Sequence, residues 1–181
     1  YIGLVIAILL NWQPEFQTEL YGVIIAGTAI LLVGIADDVY GLSAMMKLLG
    51  QIGVSLILIS FGVKFVFVSE ATGSIVRLGV AGLPLTVFWM VGMMNLIDGL
   101  DGLAAGVSCI GAASLAIITS FYGFGMPTFL SVAICGMSLG FLIYNFNPAT
   151  IFLGDSGAML LGFLLGSVTV LSATSSSTTM T

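Results

Sequence analysis

The sequence alternates between long apolar segments and short polar stretches. A first apolar run over residues 1–10 is shorter than the ~20 residues that span a bilayer, and six further segments follow at 20–36, 44–63, 84–96, 103–121, 128–144 and 158–171. These runs are continuous and lack the short alternation of a β-barrel. The pattern predicts an all-α polytopic membrane protein, with about six full transmembrane helices after a truncated first one, in a single transmembrane domain over residues 1–181.

Three features interrupt the helical pattern. The stretch Gly41-Leu42-Ser43 is predicted to break a helix, with Ser43 as the N-cap of the next one. Residues 64–82 contain two pieces rich in β-branched and aromatic residues, K-F-V-F-V-S and S-I-V-R-L-G-V, which predict a short β-hairpin outside the membrane. After residue 171 the tail S-A-T-S-S-S-T-T-M-T is polar, and no further span is expected there.

The composition supports a membrane protein and narrows its chemistry. Hydrophobic residues make up 59% of the chain and charged residues 6%, too few to cover the surface of a soluble domain of this size. The net charge of -5 comes without a basic patch, so nucleic-acid binding is not expected. The sequence has no histidine, and Cys109 and Cys135 lie in apolar segments, where they are predicted to act as small hydrophobic residues.

The acidic residues are concentrated at the ends of apolar segments. Five of the eight lie in three short motifs: Asp37 and Asp38, Asp98 and Asp101, and Asp155. An even number of predicted crossings separates these motifs, so all three are expected on one face of the membrane and the hairpin on the other. With three basic residues in the chain, the positive-inside rule does not identify that face.

The residue types in the acidic motifs suit a cation or phosphate groups. Asp98 and Asp101 lie three residues apart, on one face of a helix or turn, and Gly99 and Gly102 leave the backbone beside them open. Paired carboxylates at the end of an apolar segment are costly unless a cation, a proton or a water-filled cavity stabilises them. Asp155, between two glycines, offers the oxygen ligands that Mg²⁺ prefers. A polar inter-helix loop is the alternative interpretation.

Three further side chains are candidates, and two of them also have a simpler explanation. Lys47 is a point cation suited to phosphate, or else a lysine that extends to the membrane interface. The Asn145 amide could bind the polar edge of a ring. Phe152 could stack on such a ring or simply be an interfacial aromatic residue.

Two classes of function fit this set of residues. Carboxylates, a lysine and amides on one membrane face fit metal-assisted phosphoryl transfer, in which the protein mainly positions groups and neutralises charge. They also fit a cation-coupled transporter. Transporter acids are expected in the middle of segments beside broken helices, whereas these acids lie at segment ends.

Three stretches resemble the signature loops of the polyprenyl-phosphate N-acetylhexosamine-1-phosphate transferases, enzymes of the glycosyltransferase family 4 type. They are D-D-V-Y-G-L-S-A-M-M-K-L-L-G-Q, N-L-I-D-G-L-D-G-L-A-A-G and N-F-N-P-A-T-I-F-L-G-D-S-G, in the family's order and with similar spacing. The second and third are closer to the bacterial undecaprenyl-phosphate N-acetylglucosamine-1-phosphate transferases. The phospho-N-acetylmuramoyl-pentapeptide transferases are the alternative within the family.

The resemblance implies a role for each candidate residue. The catalytic positions are an essential acidic pair and a lysine that holds phosphate: Asp37, Asp38 and Lys47. The Mg²⁺-binding positions are Asn95 and Asp155. The substrate-binding positions comprise two nucleotide-site acids and two uracil contacts: Asp98, Asp101, Asn145 and Phe152.

The resemblance also implies a reaction. Undecaprenyl phosphate attacks the β-phosphate of a UDP-N-acetylhexosamine, expected to be UDP-GlcNAc, and releases UMP, for cell-envelope polysaccharide synthesis. The expected cofactor is Mg²⁺, with Mn²⁺ as a second candidate, and the expected location is the bacterial plasma membrane with the site facing the cytoplasm. A homodimer is left open. The family has more helices at both ends and a late His-containing loop, so this chain is expected to be a fragment of the transferase, with an inactive fragment as the alternative.

Overall fold

The computed structural model describes residues 1–10, 17–63, 65–69, 74–78, 91 and 94–179. Within them lie α1 (Ile2–Leu10), α2 (Gln17–Tyr40), α3 (Ala44–Ser60), β1 (Phe65–Ser69), β2 (Ser74–Leu78), α4 (Leu103–Phe121), α5 (Gly125–Asn145) and α6 (Gly154–Thr179). A short helical turn also covers residues 94–97.

Four of the described helices are long and apolar enough to cross a membrane, namely α2, α4, α5 and α6. Helix α3 has 17 residues, which at ~1.5 Å per residue gives a length of roughly 26 Å. The predicted fourth segment, 84–96, lies largely outside the described residues. The chain therefore has the character of a polytopic α-helical membrane protein, whereas the count of six full spans stays a prediction.

Helix α6 lies at the centre of the helix bundle and packs against α2, α4 and α5. In α6, 72% of the apolar stretch is buried, compared with 28% to 39% in the other three candidate spans. Its sequence is apolar on all sides over most of its length, as expected for a central helix, and Phe163 and Leu164 are fully buried. The N-terminus of α6, which carries Asp155, is therefore held by contacts with several other helices.

Helix α2 packs tightly against the first turn of α6. A Cβ atom added to Gly34 would lie 2.3 Å from the Cα atom of Ser156, far inside van der Waals contact. Glycine at this position lets the two backbones approach closely, as small residues commonly do between membrane helices. Asp38 is one helical turn after Gly34 and therefore lies on the same side of α2, facing α6.

Two helix boundaries near the acidic motifs differ from the prediction. Helix α2 continues to Tyr40, so Asp37 and Asp38 lie in its last turn rather than after its end. The following break is where the sequence predicted it: Gly41 has a φ of 65°, and the Ser43 hydroxyl accepts a hydrogen bond from the Met46 amide as the N-cap of α3. Helix α6 begins at Gly154 rather than near 158, so Asp155 lies in its first turn.

The C-terminal half of the bundle also contains more helix than predicted. Helix α5 begins at Gly125 instead of 128, because Pro127 is compatible with a first helical turn. Helix α6 continues to Thr179, whereas the last apolar segment was predicted to end near residue 171. In the extension, the hydroxyls of Ser172 and Thr174 donate to the carbonyls of Val168 and Val170 at 2.7 and 3.0 Å. This bonding satisfies polar side chains without ending the helix.

Strands β1 and β2 form an antiparallel pair, with Val66 opposite Arg77 and Ser69 opposite Ser74. They fall within residues 64–82, where the sequence predicted a hairpin, while the residues predicted to connect them lie outside the described part of the chain. The side of the membrane on which this segment lies stays a prediction.

Candidate active site

The end of α2 and the start of α3 bring a buried acid and a lysine together. Asp37 is only 4% exposed, and its Oδ1 atom accepts a hydrogen bond from the Leu42 amide at 2.8 Å. The break at Gly41 turns the chain back, so that the Lys47 ammonium forms an ion pair with Asp37 Oδ2. The helix break thus places Lys47 beside the first acidic motif.

Lys47 also links the first acidic motif to the third. Its Nζ atom lies 3.4 Å from Asp155 Oδ2, so the ammonium is placed between Asp37 and Asp155. The Asp155 side chain is 37% exposed, whereas that of Asp37 is almost completely buried. Asp155 therefore combines contact with a cation and access from outside the protein, as a residue that binds a ligand requires.

Asp38 points away from Lys47 and toward the N-terminus of α6. Its Oδ1 atom accepts from the Asp155 amide at 2.8 Å, and its Oδ2 atom accepts from the Ser156 amide at 3.1 Å. Adjacent residues of a helix face different directions, which explains why Asp37 and Asp38 have different partners. The two acids of the pair thus make different contacts, although the resemblance places them together.

The second and third motifs are joined by hydrogen bonds that involve the buried side-chain amide of Asn145 and the carboxylate of Asp101. Asn145 is 4% exposed; its Oδ1 atom accepts from the Gly102 amide at 3.1 Å, and its Nδ2 atom donates to the Ile151 carbonyl at 2.9 Å. Asp101 Oδ2 accepts from the Ala149 amide at 3.1 Å. These contacts hold the turn after residues 94–97 against the loop between α5 and α6.

A cavity of about 280 Å³ lies between these two motifs. It is lined by all four predicted substrate-binding residues and by the residues beside them: Asp98, Asp101, Asn145 and Phe152, with Gly99, Leu100, Leu153 and Gly154. Phe152 is 74% exposed, so its ring is accessible to a stacking partner. The cavity mouth combines carboxylates, an aromatic ring and open backbone, which are groups that can hold a polar ring.

The carboxylates around the cavity influence one another. Burial raises the pKa of the Asp98 carboxyl, and the charges of Asp155 and Asp38 raise it further. A group of like charges of this kind is stabilised by a cation or by a proton. The amide oxygen of Asn95, three residues before Asp98 in the chain, is buried and lacks a hydrogen-bond partner within the described residues.

The structure thus brings together residues from all three predicted motifs at one end of the bundle. Asp37, Asp38, Lys47 and Asp155 are joined by ion pairs and hydrogen bonds, and the substrate-binding candidates surround the adjacent cavity. Their individual roles stay predictions. Sequence reasoning missed Gly34 and the Ser156 amide, which bring α2 and α6 together. The available signal was the leucine before Gly154, a position where a polar capping residue is usual.

Comparison with known proteins gives matches over most of the chain. The family described as Glycosyl transferase family 4 matches residues 20–173. A Bacillus subtilis (strain 168) protein named "Probable undecaprenyl-phosphate N-acetylglucosaminyl 1-phosphate transferase" is 39% identical over 175 residues, covering 94% of this chain and 49% of that protein. A decaprenyl-phosphate N-acetylglucosaminephosphotransferase of Mycolicibacterium smegmatis is 36% identical, covering 96% of this chain and 48% of the relative.

A lesser match covers a smaller part of the chain. The phospho-N-acetylmuramoyl-pentapeptide-transferase of Staphylococcus carnosus is 36% identical over 159 residues, covering 77% of this chain and 49% of the relative. The chain spans about half the length of the curated relatives that it matches.

Proposed function

Because the chain belongs to glycosyl transferase family 4, we propose that its protein transfers N-acetylglucosamine-1-phosphate from UDP-GlcNAc to undecaprenyl phosphate at the cytoplasmic face of the bacterial plasma membrane. An oxygen of the lipid phosphate forms a bond to the β-phosphorus of the nucleotide sugar. The phosphoanhydride bond breaks, and UMP leaves with the electron pair of that bond. Two of the relatives are named for N-acetylglucosamine phosphate transfer to a prenyl phosphate, which supports this choice of substrates.

The observation that carries the proposal is the position of Lys47 between Asp37 and Asp155 at the end of the helix bundle. A diphosphate develops negative charge on its leaving group as the bond breaks, and an ammonium held in place beforehand stabilises that charge. The neighbouring cavity, with Asp98, Asp101 and Phe152 in its lining, offers space and partners for a nucleotide base and sugar.

We propose Asn95 and Asp155 as the protein ligands of Mg²⁺, because amide and carboxylate oxygens are the ligands that suit this ion. Asn95 supplies a buried amide oxygen with no partner among the described residues, and Asp155 supplies a partly exposed carboxylate. Within the described part of the chain, no group of three or more acidic or cysteine side chains is close enough to bind a metal by itself. Mg²⁺ commonly keeps water and substrate phosphates as ligands. When bound, it supplies charge neutralisation for the phosphates.

The experiment is Asp155→Asn in the full-length protein, with UMP release measured as a function of Mg²⁺ concentration. The amide keeps the size of the side chain but not its charge, so we expect Mg²⁺-dependent release to fall by at least ~10²-fold. The matched control is Glu19→Gln, which makes the same change of charge in the first turn of α2, at the end of that helix away from Asp37 and Asp38. Mg²⁺-dependent turnover at the wild-type rate in the Asp155 variant would reject the assignment.

A transporter is the rival function, and the helix boundaries count against it. Asp37 and Asp38 lie in the last turn of α2 and Asp155 lies in the first turn of α6. Acids that line a transport pathway are expected near the middle of broken helices. Cation flux into vesicles without UMP release would nevertheless establish transport. Turnover with UDP-N-acetylmuramoyl-pentapeptide but not with UDP-GlcNAc would instead favour the peptidoglycan-type transferase.

A further inference from the structure

Helix α6 lacks an N-terminal cap in its own sequence. The first amides of a helix have no acceptor within the helix, and a serine, threonine, aspartate or asparagine just before it usually supplies one. Here the preceding residue is Leu153, which has no side-chain acceptor, and the helix begins with Gly154-Asp155-Ser156. The amides beside the proposed metal ligand therefore need an acceptor from elsewhere in the fold.

Asp38 supplies that acceptor from a different helix. Its two carboxylate oxygens accept separately from the Asp155 amide at 2.8 Å and from the Ser156 amide at 3.1 Å. The residues bonded are 117 and 118 positions apart in the chain. A carboxylate at a helix N-terminus is also stabilised by the helix dipole, so both hydrogen bonds and charge favour this arrangement.

The surrounding backbone is shaped to admit the Asp38 carboxylate. Gly154 has a φ of 66°, and a Cβ atom there would lie 3.1 Å from Asp38 Oδ2 and 3.2 Å from Asp38 Oδ1. Gly34, one turn before Asp38, allows α2 to approach the Ser156 backbone. A side chain at either glycine would displace the carboxylate from the amides that it binds.

We propose that Asp38 is a positioning residue that caps α6 across the helix bundle and thereby sets the position of the Asp155 carboxylate relative to Lys47. The inference rests on the proposed function for its link to turnover, whereas the capping itself does not depend on that function. Each oxygen of the Asp38 carboxylate already accepts a hydrogen bond from a backbone amide of α6. We therefore assign Asp38 the positioning role, and the test below compares it with the role of a group that takes a proton from the lipid phosphate.

The test compares Asp38→Ala with Asp38→Asn in the full-length protein. Alanine removes both acceptors, so we expect amide hydrogen exchange at residues 155 and 156 to accelerate by at least ~10-fold, the effect of losing one charge-assisted hydrogen bond. Asparagine keeps one acceptor oxygen and should accelerate exchange less.

Turnover provides the second measurement. We expect kcat for UMP release to fall by roughly 10² in the alanine variant, because a displacement of about 1 Å at a reacting centre has this effect. The KM for the nucleotide sugar should change little. The asparagine variant should stay within ~10-fold of wild type.

Two results would overturn the proposal. One is unchanged amide exchange at residues 155 and 156 in the alanine variant. The other is an equal loss of kcat in both variants while the asparagine protein keeps wild-type exchange, which is the behaviour of a proton acceptor. If the alanine variant fails to fold, the asparagine variant alone decides between the two roles by the same measurements. Absence of UMP release from the wild-type protein would reject the proposed function, and exchange would still test the cap.

Discussion

Lys47 lies between two carboxylates that differ in their exposure to solvent. Its contact with one is expected to matter for stability, and its contact with the other for turnover. Its partner Asp37 is buried, so the ion pair contributes to folding, whereas Asp155 is partly exposed at the proposed reaction site. Removal of the ammonium leaves a buried carboxylate without its counter-charge, which is more costly than the pair itself is stabilising. A substitution at Lys47 is therefore expected to affect both stability and turnover.

Lys47→Ala is expected to lower turnover by roughly 10²–10³, the scale for losing one transition-state contact. It should also lower the free energy of unfolding by about 3 kcal/mol. This value is at the lower end for breaking a buried ion pair, since the lysine side chain is 23% exposed. Lys47→Arg should recover turnover only in part, because a planar guanidinium does not replace a compact ammonium. UMP release and denaturation in detergent measure the two effects.

The double variant Asp37→Asn/Lys47→Ala separates these effects. It removes the buried charge together with its partner, so most of the lost stability should return while turnover stays low. Wild-type turnover in Lys47→Ala would show that the lysine is only a structural or interfacial residue.

At the scale of whole elements, the contact between α2 and α6 determines the geometry of the site. The contact at Gly34 brings the last turn of α2, with both acids of the pair, against the first turn of α6. The N-terminal capping of α3 by Ser43 then directs Lys47 toward the same point. Asp37, Asp38, Lys47 and Asp155, together called the acidic cluster, therefore come from the ends of three helices. A small displacement of α2 would change the distances between them.

Gly34→Ala tests this dependence. The added methyl group would lie 2.3 Å from Ser156 Cα, so the two helices must separate, and we expect a destabilisation of about 1–3 kcal/mol with a matching loss of turnover. Gly53→Ala in α3 is the matched control, because nothing lies within 4 Å of a Cβ atom there. It should be neutral or slightly stabilising, since alanine favours helix more than glycine does. Equal stability of the two variants would contradict the close contact.

The element boundaries show which parts of the fold local patterns predict. Helix α4 was predicted with the bounds that the structure has, Leu103–Phe121, because its apolar run is flanked by glycines on both sides. Helix α6 was predicted too short at both ends, since its first turn is capped by a distant residue and its last turns contain serines and threonines. Hydropathy detects the apolar centre of a helix but not polar ends that are satisfied by hydrogen bonds.

For the whole molecule, counting membrane crossings predicted that the three acidic motifs share a face, and the structure joins residues of all three motifs at one end of the bundle. Counting could not predict the pairing inside the cluster. That Asp37 binds Lys47 while Asp38 binds α6 depends on the rotation of α2 against α6, which is set by Gly34 and the packing around it. Such contacts between distant parts of the chain have no local signature.

The arrangement of the whole chain in the membrane yields the last prediction, which concerns α3 and the strand segment. We expect single cysteines at Met45 and Thr150 to react with a membrane-impermeant thiol reagent from one side, the cytoplasm, and a cysteine at Thr72 to react from the opposite side. Met45 and Thr150 are exposed and lie two residues before Lys47 and five residues before Asp155 in the chain, whereas Thr72 lies between the sequences of β1 and β2. The background protein carries alanine at Cys109 and Cys135. Helix α3 is shorter than the four candidate spans, at about 26 Å for ~1.5 Å per residue, against ~30 Å for the hydrocarbon core, so a crossing by α3 is the part of the topology that this labelling tests. Labelling of Met45 and Thr72 from the same side would show that α3 does not cross the membrane, and the predicted topology would be wrong.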